Sequence, residues 1–477
     1  MLTYSFTDRK DESLYEYLYK CIRNDIVAGI LQPNEKLPSK RAFANNHGVS
    51  VITVENTYAQ LMAEGYIYSR PKSGFYVSAI DSNIKIEDVK SDIINTDKNE
   101  PVSEYINLVS NHTLPESFPF SIWTKLVRKT LIENESKLLI SPPVGGVMEL
   151  RSAISRHLRD FRGIICEPEQ IVIGAGTEYL YGLIVQLLGR DKIYGLENPS
   201  SKKIRNIYQS LGVKVSSLSM DEEGIKLTPE NLTVPDVLHI SPSHHFPTGY
   251  VMSVSRRYGA LQWANESSNR YIIEDDYDSE FRLQGKPIPS LFSMDTTNKV
   301  IYFNTFSKSL ASTIRISYMV LPVPLLELFN SKLGFYACTV SNFEQYTLAD
   351  FINEHYFDKH INRMRKQYRK LRDMLIDRIK ESRIGNSVQI MEENAGLHFI
   401  LSISTRKSDK ILKERALEQG VLVAFLSEYC SYDYNQDLSE YDHKAIINFS
   451  GLADKDIDEV VGALSVSWQD CVMNGFG

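Results

Sequence analysis

Long apolar runs are missing from this 477-residue chain. None approaches the roughly 20 consecutive apolar residues that a membrane-crossing helix needs, which argues against a helical membrane protein. The first twenty residues carry Asp8, Arg9, Lys10, Asp11, Glu12 and Glu16 where a secretory signal would place its hydrophobic block. Cysteine is scarce and scattered, with five residues (Cys21, Cys166, Cys338, Cys430, Cys471) and no pair at metal-ligand spacing. No metal site is therefore expected, and free thiols in a reducing cytosol are the simplest account. Residues 81 to 104 lack glycine and aromatics but hold seven acidic residues against three basic ones. Such a composition suits an exposed, self-repelling linker. Internal repeats and low-complexity tracts are also absent.

What is present is a globular balance of 43% hydrophobic and 24% charged residues. The length exceeds one ordinary core, so at least two domains are expected. The net charge of −7 is unevenly shared: residues 1 to 78 hold nine Lys or Arg against eight Asp or Glu, a balance of +1 that leaves −8 on the rest. An acidic body with a near-neutral head suggests separate tasks.

In the head, Leu14, Leu18, Cys21, Ile22 and Ile26 recur at helical spacing and predict an amphipathic helix over residues 11 to 29, stopping at Gly29. A second short helix is predicted after Leu37-Pro38, with Ser39 as N-cap and Phe43 and Ala44 facing inward. Ser50 is predicted to cap a third, whose Val54, Tyr58, Leu61 and Met62 share one face. After Gly65 the pattern alternates: Tyr66-Ile67-Tyr68-Ser69, a turn over Arg70-Pro71-Lys72-Ser73-Gly74, then Phe75-Tyr76-Val77, a hairpin with basic residues at its tip. The strings Leu37-Pro38-Ser39-Lys40-Arg41 and Ala63-Glu64-Gly65-Tyr66-Ile67 resemble the winged helix-turn-helix of the GntR family of bacterial repressors and activators. That resemblance implies a third helix in the major groove of DNA and a wing on the backbone or minor groove. Ser39, Arg41, Ser50, Thr53, Arg70 and Lys72 match the family's DNA-contacting positions. One such domain covers about one half-site, so a homodimer is expected.

In the body, Lys308 lies in Thr305-Phe306-Ser307-Lys308 and is followed seven residues later by Arg315, so a hydroxyl-rich turn delivers an amine beside an anion-binding group. Residues 271 to 281, Tyr-Ile-Ile-Glu-Asp-Asp-Tyr-Asp-Ser-Glu-Phe, read as an apolar strand that breaks into carboxylates where strands of an open α/β sheet bind ligands. Residues 171 to 177, Ile-Val-Ile-Gly-Ala-Gly-Thr, read as a strand entering a glycine turn and then the apolar stretch Tyr179 to Leu188, a docking geometry for phosphate. In this order the three motifs resemble the fold-type I, aspartate aminotransferase-like pyridoxal-phosphate enzymes over roughly residues 105 to 470. The resemblance implies that Lys308 anchors the cofactor aldehyde. It makes Asp275 the holder of the pyridine nitrogen's proton and Tyr277 a donor to the ring hydroxyl. Gly176, Thr177, Thr305, Ser307 and Arg315 would cradle the phosphate, Arg315 as a planar fork.

Head and body together resemble the MocR subgroup of GntR-type regulators, most closely in Glu274-Asp275-Asp276-Tyr277-Asp278-Ser279-Glu280-Phe281 and Pro242-Ser243-His244-His245-Phe246-Pro247-Thr248-Gly249. The implied organisation is a winged helix-turn-helix over residues 1–78, an acidic linker over 79–104 and an α/β fold-type I body over 105–477. The body would combine a mainly parallel large domain with a small α+β domain. The implied function is a cytoplasmic, homodimeric transcription regulator that binds operator DNA and holds pyridoxal 5'-phosphate as part of a sensor for a small effector, with no catalytic residue assigned. A working aminotransferase is the alternative, since Lys308, Asp275 and Tyr277 serve both.

Several positions depart from these patterns. Val51 and Ile52 follow the capping serine where many relatives have arginine, and apolar side chains there suit thymine methyl groups. Ile446 occupies the position before Ile447-Asn448-Phe449-Ser450-Gly451 where α-amino-acid aminotransferases keep a carboxylate-binding arginine, with His443 and Lys444 nearby. Ser201 stands where an aromatic usually packs on the cofactor ring, and Ile140 where a tyrosine often reaches the neighbouring subunit's phosphate. A buried carboxylate without its charged partner loses on the order of a few kcal/mol. The expected effector is therefore pyridoxal phosphate itself or an amine lacking a standard carboxylate contact, with vitamin B6 genes as targets in the first case.

Overall fold

The computed structural model of the chain describes residues 4, 12–79, 105–109, 114–283, 285, 288–394, 396–431 and 438–473. Nearly all of the expected linker lies outside them. The chain divides into two compact units, residues 1–102 and 103–477.

In the first unit, α1 (Leu14–Val27), α2 (Lys40–His47) and α3 (Val51–Ala63) precede a hairpin of β1 (Ile67–Arg70) and β2 (Gly74–Val77). Helix α1 is shorter at both ends than its apolar spacing predicts. Its contact with α3 buries Leu18, Ile22 and Ile26, while Leu14 and Cys21 stay half-buried at the edge of the stripe. Ser39 and Ser50 cap α2 and α3, their hydroxyl oxygens accepting from Ala42 N at 3.2 Å and Thr53 N at 3.0 Å. Phe43, Val54, Tyr58 and Leu61 complete the core, with Met62 packed partly buried against it. Each such large apolar side chain removed from water contributes about 1.5–3 kcal/mol, and the Tyr58 hydroxyl finds its partner in the Pro38 carbonyl at 3.0 Å.

The second unit is built on an eight-stranded sheet. Its strands are β3 (Ile171–Gly174), β4 (Ile193–Asn198), β5 (Lys214–Asp221), β6 (Gly224–Ile225), β7 (Val237–Ile240), β8 (Tyr271–Asp275), β9 (Val300–Thr305) and β10 (Ser317–Val320). The order is β3-β10-β9-β8-β7-β4-β5-β6. Pairing from β9 through β8, β7 and β4 to β5 is parallel, whereas β10 runs antiparallel to both neighbours and β6 antiparallel to β5. Strands β3, β7, β9 and β10 are buried along their whole length, as a sheet covered on both faces requires. Helices flank it, among them α4 (Thr177–Leu188) and α5 (Lys202–Ser210); α6 (Phe306–Ser309) is a single turn after β9. The long α7 (Tyr356–Glu381) leads to a smaller antiparallel sheet of β11 (Val388–Met391), β12 (His398–Ile403), β13 (Ala424–Phe425) and β14 (Lys444–Asn448), ordered β11-β12-β14-β13. The mainly parallel large lobe and the small α+β lobe are those the sequence implied.

Candidate functional site

A cleft of about 380 Å³ opens at the carboxyl ends of β8 and β9. It is lined by Thr177, Tyr181, Asp275, Tyr277 and Lys308 on the large-lobe side and by His398, among others, on the small-lobe side. Side-chain alternation along a strand decides which carboxylate faces it. Asp275 does. Glu274 turns to the other face and accepts from the backbone N–H groups of Leu291 and Phe292, both at 2.9 Å. Asp276 also leaves the cleft, taking the buried Arg162 guanidinium at 2.7 Å and the Tyr302 hydroxyl at 2.7 Å.

Asp275 is held from behind. Tyr181 donates its hydroxyl to Oδ2 at 2.7 Å, and the His239 ring lies 3.4 Å from the same oxygen, itself fixed by Tyr208 at 2.8 Å. Burial, reinforced by the Asp275 charge, raises the Tyr181 phenol well above its ordinary range, so it acts as a neutral donor. The other oxygen, Oδ1, is buried and has no hydrogen-bond partner among the described residues. A buried carboxylate oxygen left open is costly, of order 1–3 kcal/mol or more, unless a donor arrives in the cleft.

Lys308 is positioned by the turn it sits in. Thr305 ends β9 and caps α6 by accepting from Ser307 N at 3.1 Å, while its own oxygen accepts from Ser317 at 2.8 Å. Ser307 donates to the Ile314 carbonyl at 2.9 Å. These bonds tie the turn to the segment that follows it and fix where the amine emerges. Burial holds the Lys308 amine below the usual lysine range, with Lys203 adding to the effect and Asp278 and Asp275 opposing it. A larger share of free amine is the form that attacks a carbonyl carbon.

Gly176 precedes α4 at φ 94°, a backbone conformation that favours glycine, and a Cβ there would fall 2.3 Å from an Arg315 nitrogen and displace the guanidinium. Arg315 is half-exposed and donates to Glu178 at 2.7 Å. Of the expected residues, Lys308, Asp275, Tyr277 and Thr177 thus line the cleft itself. Gly176 and Arg315 meet beside it, and the Thr305 and Ser307 hydroxyls are engaged in the turn. The Tyr277 phenol lies 3.3 Å from His244.

The departures also find their places. Ser201 lines the cleft. Ile446 is buried in an apolar cluster with Ile400, Leu426 and Tyr441. His443 is bound to Asp409, and the Lys444 amine lies over the Tyr441 ring, so neither lines the cleft. Among the described residues, no arginine lines it. Ile140 is 65% exposed on the surface. Sequence reasoning missed Tyr181, Tyr208 and His239, although a histidine inside the apolar strand β7 is a readable signal.

Deeper in the same lobe, Glu197 accepts from Ser241 N at 2.9 Å and lies 3.4 Å from His245, whose other ring nitrogen meets Thr248 at 2.8 Å. Burial pushes the Glu197 carboxyl up to about 8 and His245 down to about 3, so both are neutral near pH 7. The folded body binds a proton at Glu197 that the unfolded chain releases above about 4.5. The stability this proton confers is complete below that value and is lost as pH rises through about 8. The contribution of Glu197 to the melting temperature should fall between about pH 4.5 and pH 8 and be level above that, and Glu197→Gln should flatten the fall; a slope unchanged in the variant would contradict this assignment.

In the head, Arg41, Arg70 and Lys72 are exposed. The Arg70 guanidinium stacks 4.6 Å from the Tyr76 ring, and Lys72 takes φ 55° at the hairpin tip. Thr53 is half-buried, its hydroxyl 2.8 Å from that of Ser50. Val51 and Ile52 are 41% and 69% exposed on the first turn of α3.

Comparison with known proteins agrees with both units. The bacterial regulatory proteins of the gntR family match residues 14–77, and aminotransferase class I and II matches residues 103–463. The chain is 36% identical to the HTH-type transcriptional regulator YdeL of Bacillus subtilis (strain 168), over 96% of this chain and 97% of that protein. It is 29% identical to the probable rhizopine catabolism regulatory protein MocR of Rhizobium meliloti, over 95% and 93% of the two chains. The fold of the body matches the kynurenine aminotransferase of Pyrococcus horikoshii with a TM-score of 0.67 at 24% identity, covering 77% of this chain and 92% of that one. A gntR-type head, an aminotransferase body and near full-length kinship with such regulators make the chain a member of the MocR subgroup of GntR-family transcription regulators.

Proposed function

We propose that the protein is a cytoplasmic, homodimeric regulator whose head binds operator DNA and whose cleft holds pyridoxal 5'-phosphate as a sensor. The observation that carries this reading is the open, buried Oδ1 of Asp275 in the same cleft as the Lys308 amine. Asp275, fixed by Tyr181 and His239, would hold the proton of a pyridine nitrogen on its open oxygen. When bound, the cofactor supplies an electrophilic aldehyde carbon. Lys308 would hold that carbon, Tyr277 would donate to the ring hydroxyl, and Gly176, Thr177, Thr305, Ser307 and Arg315 would hold the phosphate end. The N-terminus of α4 adds its positive dipole there.

The same cleft disfavours amino-acid turnover. Among the described residues it presents no arginine for a carboxylate, and Ile446 is buried in an apolar cluster. The effector is accordingly pyridoxal phosphate itself or an amine that needs no guanidinium clamp. The residues are used to sense occupancy, and none is assigned to catalysis.

On DNA, Arg41, Arg70 and Lys72 contact phosphates, with Ser39, Ser50 and Thr53 at the helix starts contributing hydroxyls. Val51 and Ile52 meet thymine methyl groups in the major groove. Footprinting upstream of the protein's own gene, with and without pyridoxal phosphate, tests the whole reading. Operator affinity should change with the cofactor, and replacing contacted thymines by deoxyuridine should weaken binding by about 1 kcal/mol per site or more. A footprint indifferent to the cofactor, paired with full transaminase turnover, would favour the enzyme instead.

A further inference from the structure

We infer that Asp278 and His244 form a relay that aims the Tyr277 hydroxyl into the cleft, which makes His244 a positioning residue for the cofactor ring. The inference rests on the reading of Tyr277 as donor to the ring hydroxyl. His244 Nδ1 lies 2.8 Å from Asp278 Oδ2 and 3.3 Å from the Tyr277 oxygen. His244 and Asp278 are withdrawn from solvent, at 5% and 4% exposed, and Tyr277 is half-buried at the cleft wall. A carboxylate can only accept, so the proton belongs on Nδ1. That N–H is shared between the carboxylate and the phenol oxygen. Tyr277 then accepts from within the protein, and its own hydrogen is left to point into the cleft. An oxygen that accepts one hydrogen bond donates a stronger one.

Two further features set this arrangement apart from ordinary packing. The second ring nitrogen of His244, Nε2, is buried with no hydrogen-bond partner among the described residues, which is unusual for a histidine whose only role is to fill a core. The imidazole is also held by close approach of backbone. Gly396 has φ 71°, and a Cβ on it would lie 1.9 Å from His244 Cε1 and 2.8 Å from Asp278 Oδ2. The relay therefore draws on three separate segments, after β7, after β8 and before β12. Burial and the neighbouring carboxylates Asp278, Asp275, Glu197 and Asp276 hold the Tyr277 phenol protonated. His245, His398 and Glu392 stand around the imidazole.

The test uses the full chain with added pyridoxal phosphate and records the near-visible absorbance of the bound cofactor against pH. Tyr277→Phe should move the midpoint of that profile by about one unit, the size of one strong hydrogen bond. His244→Gln and Asp278→Asn should move it the same way by at least about half as much, because without the carboxylate the imidazole adopts the wrong tautomer. The double variant His244→Gln/Tyr277→Phe should go no further than Tyr277→Phe alone. Gly396→Ala should reproduce the His244 effect, and Asp278→Asn, which keeps the side-chain shape, covers the case in which His244→Gln does not fold. A shifted Tyr277→Phe beside unshifted His244→Gln and Asp278→Asn rejects the relay alone. An unshifted Tyr277→Phe rejects the role of Tyr277 and the relay with it, and a wild-type band that survives Lys308→Ala rejects the cofactor assignment beneath both.

Discussion

Lys308→Ala should abolish the near-visible absorbance of the protein with pyridoxal phosphate and lower cofactor affinity by at least about 100-fold, equivalent to about 2.7 kcal/mol. The residual affinity would come from Asp275 and the phosphate end. Lys308 is half-buried and, among the described residues lining the cleft, has the one amine not engaged by a carboxylate, because Lys203 is paired with Glu178. Operator binding by the variant should no longer respond to the cofactor, while binding to nonspecific DNA should stay within about two-fold of wild type, since the electrostatic contacts proposed above belong to the head. Equilibrium dialysis and gel-shift titration measure the two effects separately. A variant that still changes its operator affinity when cofactor is added would show that occupancy is sensed without the lysine, and the proposed role of Lys308 would fall.

Replacing Arg41, Arg70 and Lys72 together by alanine should have the other large effect, a loss of about 100-fold in DNA affinity at moderate salt. The slope of log affinity against log salt should become shallower by about 0.9 for each phosphate contact removed, close to three units in total. All three side chains are exposed and outside the core of Leu18, Ile22, Phe43, Val54, Tyr58 and Leu61, so the head should remain folded. Arg70 needs a control, because its guanidinium also packs on Tyr76 and Tyr68. Arg70→Lys keeps the charge and loses the planar stack, so it should retain the salt slope while weakening the wing. An unchanged slope in a folded triple variant would place the DNA surface elsewhere on the head.

The departures from the aminotransferase pattern gain meaning from where they lie. Ile446 sits on β14 in the same apolar cluster as Ile400 on β12, its direct partner in the ladder. A charge there would lose its hydration without a carboxylate to pair with, so this position has become core. His443 adopts φ 60° just before β14, which turns its ring toward Asp409 and away from the cleft. Neither residue therefore replaces a missing clamp, which is why the proposed effector needs none.

Much of the molecule was legible in the chain itself. Serine caps, helical spacing and a glycine-ended turn define α2, α3 and the hairpin, because capping and turn geometry depend on residues within four positions of one another. The strand that ends in carboxylates, the glycine turn and the hydroxyl-rich turn were likewise readable as motifs, and the resemblance to the fold-type I enzymes singled out Asp275, Gly176 and Lys308 within them. The limits of α1 were less legible, since its ends depend on what α3 covers. Tertiary structure alone decided the rest: that Arg162 claims Asp276 and leaves Asp275 to the cleft, that Tyr181 and His239 back its carboxylate, and that Gly396 closes on His244. The physical reason is range. Backbone propensity and caps act between neighbours in sequence, whereas the burial, charge pairing and hydrogen-bond completion that set a site's chemistry join residues distant in sequence, and only the topology of the sheet brings those together.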